Sequence, residues 1–207
     1  MEFLKVILIT ILIAGNFIAE GQSTNEIVEQ AFARSYENEK KQDFVAAINN
    51  LQEVYNVSSY EINLRLGWLM YNSGQLNESV EYYMTAQQLM PYSEEARFGL
   101  ILPLAAIGKW DEVIAVYKDI LEIHPNNTIA MFRLGMIYYE RKQYDIAMPL
   151  FKRVVDLYPF DYDGLLMLAW TYYFTGNFNQ ATVLFNKVKL NNPGDVSASE
   201  GLKLMMR

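Results

Sequence analysis

The sequence contains no cysteine and a single histidine, and its basic residues are outnumbered by acidic ones. The absence of cysteine excludes disulfides, thiolate zinc ligands, thiol catalysis and a lipidated N-terminal cysteine. With 17 basic and 24 acidic residues the net charge is −7, which makes a nucleic-acid backbone a poor partner. The lone His124 stands beside Pro125, where we expect a surface residue rather than a catalytic one.

Sequence motifs that carry enzyme chemistry are also absent. The sequence has no glycine-rich phosphate loop and no serine in a nucleophile-elbow pattern. The paired acids Glu94-Glu95 and Asp111-Glu112 stand at predicted helix starts, where negative charge favours the helix dipole, and they have no histidine partners for a metal site. We therefore predict a protein that is not an enzyme and that needs no cofactor or metal.

Residues 1–21 differ in composition from the rest of the chain. A short charged start precedes an apolar run from Val6 to about Ala14, and small residues follow up to Gly21. This order is typical of a secretory signal peptide, so we expect the mature chain to be periplasmic or secreted. The alternative is an uncleaved anchor with the remaining chain outside, because the run approaches the ~20 residues of a membrane span if it includes Asn16. Membrane contact would then be made through this N-terminal segment alone.

One fixed interval, thirty-four positions long, organises the rest of the chain. It separates four of the six prolines, namely Pro91, Pro125, Pro159 and Pro193. It also separates five leucines, namely Leu66, Leu100, Leu134, Leu168 and Leu202. A period of this length predicts a repeat protein, since one helix pair cannot bury both of its apolar faces alone.

These columns divide residues 28–207 into repeats. The predicted units are a degenerate first repeat 28–59, full repeats 60–93, 94–127, 128–161 and 162–195, and a closing helix 196–207. The pattern of each full repeat predicts two amphipathic helices. In the block 60–93 we expect them to run from about Glu61 to Asn72 and from about Asn77 to Leu89. Proline then ends the second helix, because it cannot continue the hydrogen-bond ladder.

Three further columns describe the turn and the packing inside each block. Gly74 ends the first helix and is expected in the turn to the second, and the same column holds Gly108, Lys142 and Gly176. We expect short polar residues to cap the second helices, namely Asn77, Asp111, Asp145 and Asn179. Small residues near Gly67 let two helices approach, and we expect two apolar columns to fill the space beside them: Leu76, Trp110, Tyr144 and Phe178, and Tyr83, Tyr117, Phe151 and Phe185.

The first segment follows the same order with a step that is shorter by two positions. The segment begins at Val28, and the next block opens at Tyr60. With this shorter offset, Phe44 aligns with the apolar column of Leu76, and Ala47 aligns with the small-residue column of Ser79. The same offset pairs Arg34-Ser35 with Leu66-Gly67 and pairs Ser59 with the proline column.

The residues Leu66-Gly67, Gly74, Leu76, Tyr83, Ala86 and Pro91 resemble the tetratricopeptide repeat family, and the block 128–161 repeats that pattern. The resemblance implies an all-α fold, a right-handed superhelical solenoid of antiparallel helix pairs. It also implies a protein–protein interaction scaffold in which the first helices of the repeats line a concave groove.

The residues expected on the groove side form what we call the groove stripe: Leu64, Trp68, Tyr71, Phe98, Leu102, Phe132, Met136, Tyr139, Leu166, Trp170 and Tyr173. In the blocks with three members these fall at i, i+4 and i+7, one face of a helix, and the alternative to ligand binding is burial between repeats.

Arg65 and Arg133 share a column beside the groove stripe and complete the candidate protein-binding set. They either grip a peptide carboxylate or pair with nearby acids such as Glu61. Chaperone-binding members of the family grip a terminal carboxylate with basic residues and asparagines, whereas here Leu64 and Trp68 hold matching places. We therefore predict an apolar or amphipathic segment of a protein as the ligand.

The sequence leaves two functions open. The first is an exported scaffold that binds a partner protein in its groove. The second is a structural or self-assembling component of an envelope complex, tethered to the membrane if the N-terminal segment is retained.

Overall fold

The computed structural model describes residues 25–205, so the predicted signal peptide 1–21 lies outside the described part of the chain. Helix α1 covers residues 25–40. The helices that follow are α2 Phe44–Gln52, α3 Tyr60–Asn72, α4 Leu76–Leu89, α5 Glu94–Ala106, α6 Trp110–Ile123, α7 Thr128–Glu140, α8 Tyr144–Leu157, α9 Tyr162–Phe174, α10 Phe178–Asn191 and α11 Val196–Leu204. Residues 25–205 contain no strand, so the predicted all-α class is confirmed.

The chain divides into two compact units, Met1–Gly108 and Lys109–Arg207. In unit 1, α3 packs against α2, α4 and α5, and α4 also packs against α5. In unit 2, helices that follow one another along the chain pack together, as α7 does with α8 and α9 with α10, and α11 also reaches α9. The sequence period did not predict a division at Gly108, which falls at the turn inside the block 94–127.

The helix bounds agree with the sequence prediction to within one residue. The first helix of the block 60–93 begins at Tyr60 and the second at Leu76, each one position before its predicted start. Both end where expected, at Asn72 and Leu89. The predicted closing helix is present as α11.

The turn column adopts the left-handed backbone conformation in every block. Gly74, Gly108 and Gly176 have φ values of 82°, 77° and 76°. Lys142 holds the same conformation with φ 57°, as does Gln42 at φ 60° in the turn between α1 and α2. Gln42 precedes Gly74 by the shorter of the two steps, so the shorter offset is correct for this turn.

The predicted caps of the second helices are wrong. Asn77 is the second residue of α4, and the cap position is held by Gln75, whose side chain makes no capping hydrogen bond. Side-chain caps instead open the first helices: each of the following accepts a hydrogen bond from the backbone N–H three positions later, and they are Ser59, Ser93, Asn127, Asp161 and Asp195. Each such cap contributes about 1 kcal/mol to helix stability.

The shorter offset paired Ser59 with the proline column, but the structure shows that Ser59 does not take the place of that proline. It belongs to the capping column that opens the next block. Helix α2 ends at Gln52 after 9 residues, whereas α4 has 14 residues. The two missing residues thus fall between Gln52 and Ser59, and α1 forms as a regular helix despite Arg34-Ser35.

Aromatic rings and small residues fit together in the core as the columns predict. Tyr83 and Phe151 are buried. A Cβ atom added to Gly67 would lie 2.9 Å from the ring of Tyr83, and one added to Gly135 would lie 2.8 Å from the ring of Phe151. The space beside each glycine is therefore filled by the ring of the following helix, which stabilises the helix pair by dispersion contacts.

The other apolar column, which begins at Leu76, was expected to fill the same space and does not. Trp110 and Phe178 are 45% and 51% exposed, so their rings lie at the surface of unit 2. Both residues are the first of their helices, where the helix leaves the turn rather than where it crosses its partner. Among residues 25–205, no helix has both the length and the apolar character needed to cross a bilayer.

Candidate functional site

The thirteen candidate residues lie on the first helices, on α3 and α5 in unit 1 and on α7 and α9 in unit 2. Trp68, Leu102 and Arg133 are exposed, and the other ten are partly buried, most of all Arg65, whose side chain is 10% exposed. The residues that face the core from the same helices, such as Leu66 and Leu134, are at most 3% exposed. The groove stripe therefore remains accessible to a ligand within each unit, as an interaction surface must.

In unit 1, the groove stripe is centred on Trp68. The centroids of the Trp68 and Tyr71 rings are 6.3 Å apart. Leu64 lies one turn before Trp68 on α3, and Phe98 and Leu102 lie on α5, which packs against α3. These side chains offer both aromatic and aliphatic contacts along two adjoining helices.

Arg65 has an acidic partner that the sequence analysis did not name. Its Nη2 donates to Glu39 Oε2 at 2.6 Å, and Trp68 Nε1 donates to Glu39 Oε1 at 2.6 Å. The guanidinium carbon of Arg65 also lies 3.9 Å from the centroid of the Tyr36 ring. Glu61, which was suggested as a partner, instead accepts a hydrogen bond from the Ser59 hydroxyl.

This cluster of Tyr36, Glu39, Arg65 and Trp68, which we call the Glu39 cluster, is electrostatically well matched. The hydrogen bond from Arg65 lowers the pKa of the Glu39 carboxyl below its usual value, although partial burial opposes this shift. Glu39 is therefore ionised at neutral pH and balances the charge of Arg65.

In unit 2, the groove stripe belongs to an aromatic network. Trp170 and Tyr173 have centroids 5.5 Å apart, and Phe174 lies 6.0 Å from Trp170 and 6.0 Å from Tyr139. Phe174 thus connects the α7 and α9 parts of the stripe. Phe132 packs at 5.6 Å against the buried ring of Phe151, which anchors this network to the core.

The polar groups beside the unit 2 stripe are differently placed. Trp170 Nε1 donates to Ser197 Oγ on α11 at 2.8 Å. Arg133 is exposed and makes no ion pair with any residue in 25–205, in contrast to Arg65. Its guanidinium is therefore the cation of this column that a ligand can reach.

Three accessible residues beside the stripe were missed by sequence reasoning. Tyr36 and Glu39 precede Trp68 and Tyr71 by the shorter step, so that offset could have placed them in the groove columns. Phe174 lies one position beyond the predicted stripe on α9. It stacks on Tyr144 with centroids 4.8 Å apart, beside a surface cavity of about 430 Å³ near the turn at Lys142.

Comparison with protein-family models gives two matches, both described as tetratricopeptide repeat. One model matches residues 104–161 and 139–204, and the other matches residues 60–92. Among curated proteins, none matches the chain.

Solved structures show the same fold. A tetratricopeptide repeat protein from Parabacteroides merdae is 21% identical, with a TM-score of 0.72 over 87% of this chain and 74% of that chain. The MamA protein is 20% identical, with a TM-score of 0.67 over 80% of this chain and 91% of that chain. YrrB, described as a tetratricopeptide repeat protein with an unusual peptide-binding site, is 19% identical, with a TM-score of 0.66 over 86% and 90%. With the family models matching parts of both compact units, the chain belongs to the tetratricopeptide repeat family.

Proposed function

We propose that this protein is an exported, non-enzymatic scaffold that binds an apolar or amphipathic segment of a partner protein along the groove stripe. The observation that carries the proposal is the accessibility of eleven apolar and aromatic residues on the first helices, none of which is buried. Within each unit the stripe residues adjoin one another on neighbouring helices, and accessible apolar surface of this kind marks interaction sites. The similarity in fold to YrrB, which has a peptide-binding site, supports a peptide or protein as the ligand.

The proposed location rests on the composition of residues 1–21, which is typical of a signal peptide. The repeats would then act in the periplasm or outside the cell, or on the outer side of a membrane if the segment is retained as an anchor. Sequencing the mature N-terminus in the native host tests this: a chain that still begins at Met1 contradicts cleavage.

Truncation of the two stripe tryptophans tests the binding site. Trp68→Ala and Trp170→Ala should each weaken capture of a partner from the native envelope at least tenfold, because truncating an aromatic hot-spot residue costs about 2 kcal/mol of binding free energy. Trp110→Ala is the matched control, since Trp110 is an exposed tryptophan on α6, outside the stripe.

The folding of each variant must be measured beside its binding. Trp170 packs at 5.0 Å against the buried Phe185 ring, so part of the Trp170→Ala effect can come from lost packing. Trp68 makes no such core contact with an aromatic ring among the described residues, so Trp68→Ala disturbs the core less, although it removes one hydrogen bond to Glu39. Capture that is equal for Trp68→Ala, Trp110→Ala and the unmodified protein would refute the groove assignment.

Self-assembly is the second candidate, and exposed aliphatic residues outside the stripe favour it. Leu190 and Val196 of unit 2 are 75% and 78% exposed. If they form a contact between copies, the protein should sediment as a concentration-dependent oligomer, and Leu190→Lys with Val196→Lys should return it to a monomer. A chain that stays monomeric at high concentration contradicts this candidate.

A further inference from the structure

Glu39 occupies two polar groups, on Arg65 and Trp68, that unit 1 would otherwise offer to a ligand. Arg65 Nη2 and Trp68 Nε1 donate to different oxygens of the same carboxylate, each at 2.6 Å. Arg65 and Trp68 stand three positions apart on α3, so both donors face the same side of the helix. Two charge-assisted or polar N–H donors that converge on one carboxylate are what an acidic ligand group needs.

We propose that Glu39 is a specificity-determining residue: its carboxylate fills an anion-binding site made by Arg65 and Trp68, so a bound segment presents no carboxylate there. This inference rests on the proposed function, because it states which ligands the same stripe rejects. It assigns Glu39 the place that an aspartate, a glutamate or a free C-terminus of a ligand would take.

The anion site is built into the fold rather than formed by a mobile surface pair. The side chain of Arg65 is only 10% exposed, and that of Glu39 is 25% exposed. The Tyr36 ring covers one face of the guanidinium at 3.9 Å, and Arg65 Nε is buried without a hydrogen-bond partner in the described structure. The guanidinium therefore keeps its position and its need for an anion even when the Glu39 carboxylate is removed.

A ligand carboxylate would compete with a group that is already part of the protein. A tethered group acts at an effective concentration in the millimolar range or above, without the entropy cost that a free ligand must meet. An approaching acid would also meet the negative charge of Glu39. Uncharged aromatic or aliphatic groups escape both penalties, so the unit 1 stripe selects them.

The experiment is a chemical rescue of the full chain. Glu39→Ala removes the carboxylate and leaves Arg65 and Trp68 in place, and sodium acetate supplies a free carboxylate of matching size. Acetate should shift the indole N–H resonance of Trp68 in a saturable way, with an apparent Kd at least tenfold lower than in the unmodified protein. It should also raise the melting temperature of the variant, whereas sodium chloride at the same ionic strength and neutral acetamide should not.

Two internal references make the result specific. Glu37→Ala changes the net charge by the same amount from an exposed position on α1 and should respond to acetate like the unmodified protein. The indole N–H of Trp170, which is bonded to Ser197, should not shift. Equal responses of Glu39→Ala, Glu37→Ala and the unmodified protein would overturn the proposal.

A second variant covers the case in which Glu39→Ala does not fold. Glu39→Gln keeps a hydrogen-bond acceptor and removes the charge, and acetate should shift Trp68 at lower concentration than in the unmodified protein. If Glu39→Gln and the unmodified protein respond to acetate at the same concentration, the proposal is overturned as well. The acetate response involves no partner protein, so its absence refutes only the role of Glu39. Unchanged partner capture by Trp68→Ala would instead refute the proposed function, so the two failures are distinguishable.

Discussion

The ring of Tyr83 offers a sharp test of the packing in unit 1, because it lies between two glycines on different helices. Gly67 is on α3 and Gly99 is on α5, and Tyr83 on α4 is only 3% exposed. A Cβ atom on Gly67 would lie 2.9 Å from the ring, and one on Gly99 would overlap the ring more severely. The perturbation is therefore one methyl group, placed by Gly99→Ala.

Two opposing effects set the expected magnitude. Overpacking a filled core costs about 1–3 kcal/mol, and the upper end applies because the ring is bounded by α3 on its other side. Replacing glycine by alanine inside a helix gains about 1 kcal/mol in helix propensity. Gly99→Ala should therefore lower the free energy of unfolding by about 2 kcal/mol, and Gly67→Ala should lower it by less.

Urea unfolding followed by far-ultraviolet circular dichroism measures this difference. Ala33→Gly, at an exposed position on α1, measures the propensity term in the same protein. Tyr83→Leu combined with Gly99→Ala removes the overlap, so the added methyl group should then be neutral or stabilising. If Gly99→Ala is as stable as the unmodified protein while Tyr83 is intact, the ring has room to move and the reasoning is refuted.

Four further changes test individual features by urea or pH unfolding. Ser35→Ala should raise the free energy of unfolding by about 1 kcal/mol, because the buried hydroxyl has no hydrogen-bond partner within residues 25–205; a lower value contradicts this. Lys142→Gly should raise it by about 1 kcal/mol, since φ is 57° there, and an unchanged urea midpoint would show that the lysine is unstrained. Burial raises the pKa of Tyr139 to about 12 from 10.0, so this phenol favours the fold fully below pH 10 and loses its contribution as pH approaches 12. Tyr139→Phe should therefore flatten the alkaline loss of stability, and an identical alkaline profile counts against the assignment. The hydrogen bond from Arg65 lowers the pKa of Glu39 from 4.5, so its contribution is present above that pH and is lost as pH falls below it; Glu39→Gln should remove this acid-side loss, and an unchanged acid profile contradicts the pairing.

The helices could be predicted closely because the fixed period repeats the same physical requirements. Leu66 and Leu134 must face a core, and Gly74 must turn the chain with positive φ, so each block reproduces the same bounds. The caps of the second helices were predicted wrongly because the column of Asn77 looked suitable by residue type. The turn 73–75 places Gln75 at the cap instead, and only the backbone path reveals this difference of two positions.

The candidate site could be predicted only in part. The positions of Trp68 and Trp170 follow from helical spacing, and both are accessible in the structure. The partner of Arg65 does not follow from spacing, since Glu39 is far away in sequence and the pairing depends on how α1 lies beside α3. The exposure of Phe178 was also missed, because a repeated aromatic column suggests a core when its direction is unknown.

Ligand selection in such a chain must come from residues that break the period rather than from residues that keep it. Arg65 and Arg133 occupy the same column and are the same residue type, so the period alone gives them the same role. Yet Arg65 is nine-tenths buried and bonded to Glu39, whereas Arg133 is exposed and forms no ion pair with the described residues. The difference lies in the neighbouring side chains, not in the arginines. The binding of a partner segment that carries an acidic residue should therefore depend on Arg133 and not on Arg65. We expect Arg133→Gln to weaken this binding and to remove its salt dependence, whereas the double variant Glu39→Gln with Arg65→Gln should leave both unchanged. This result would show that the positions that break the period set the specificity.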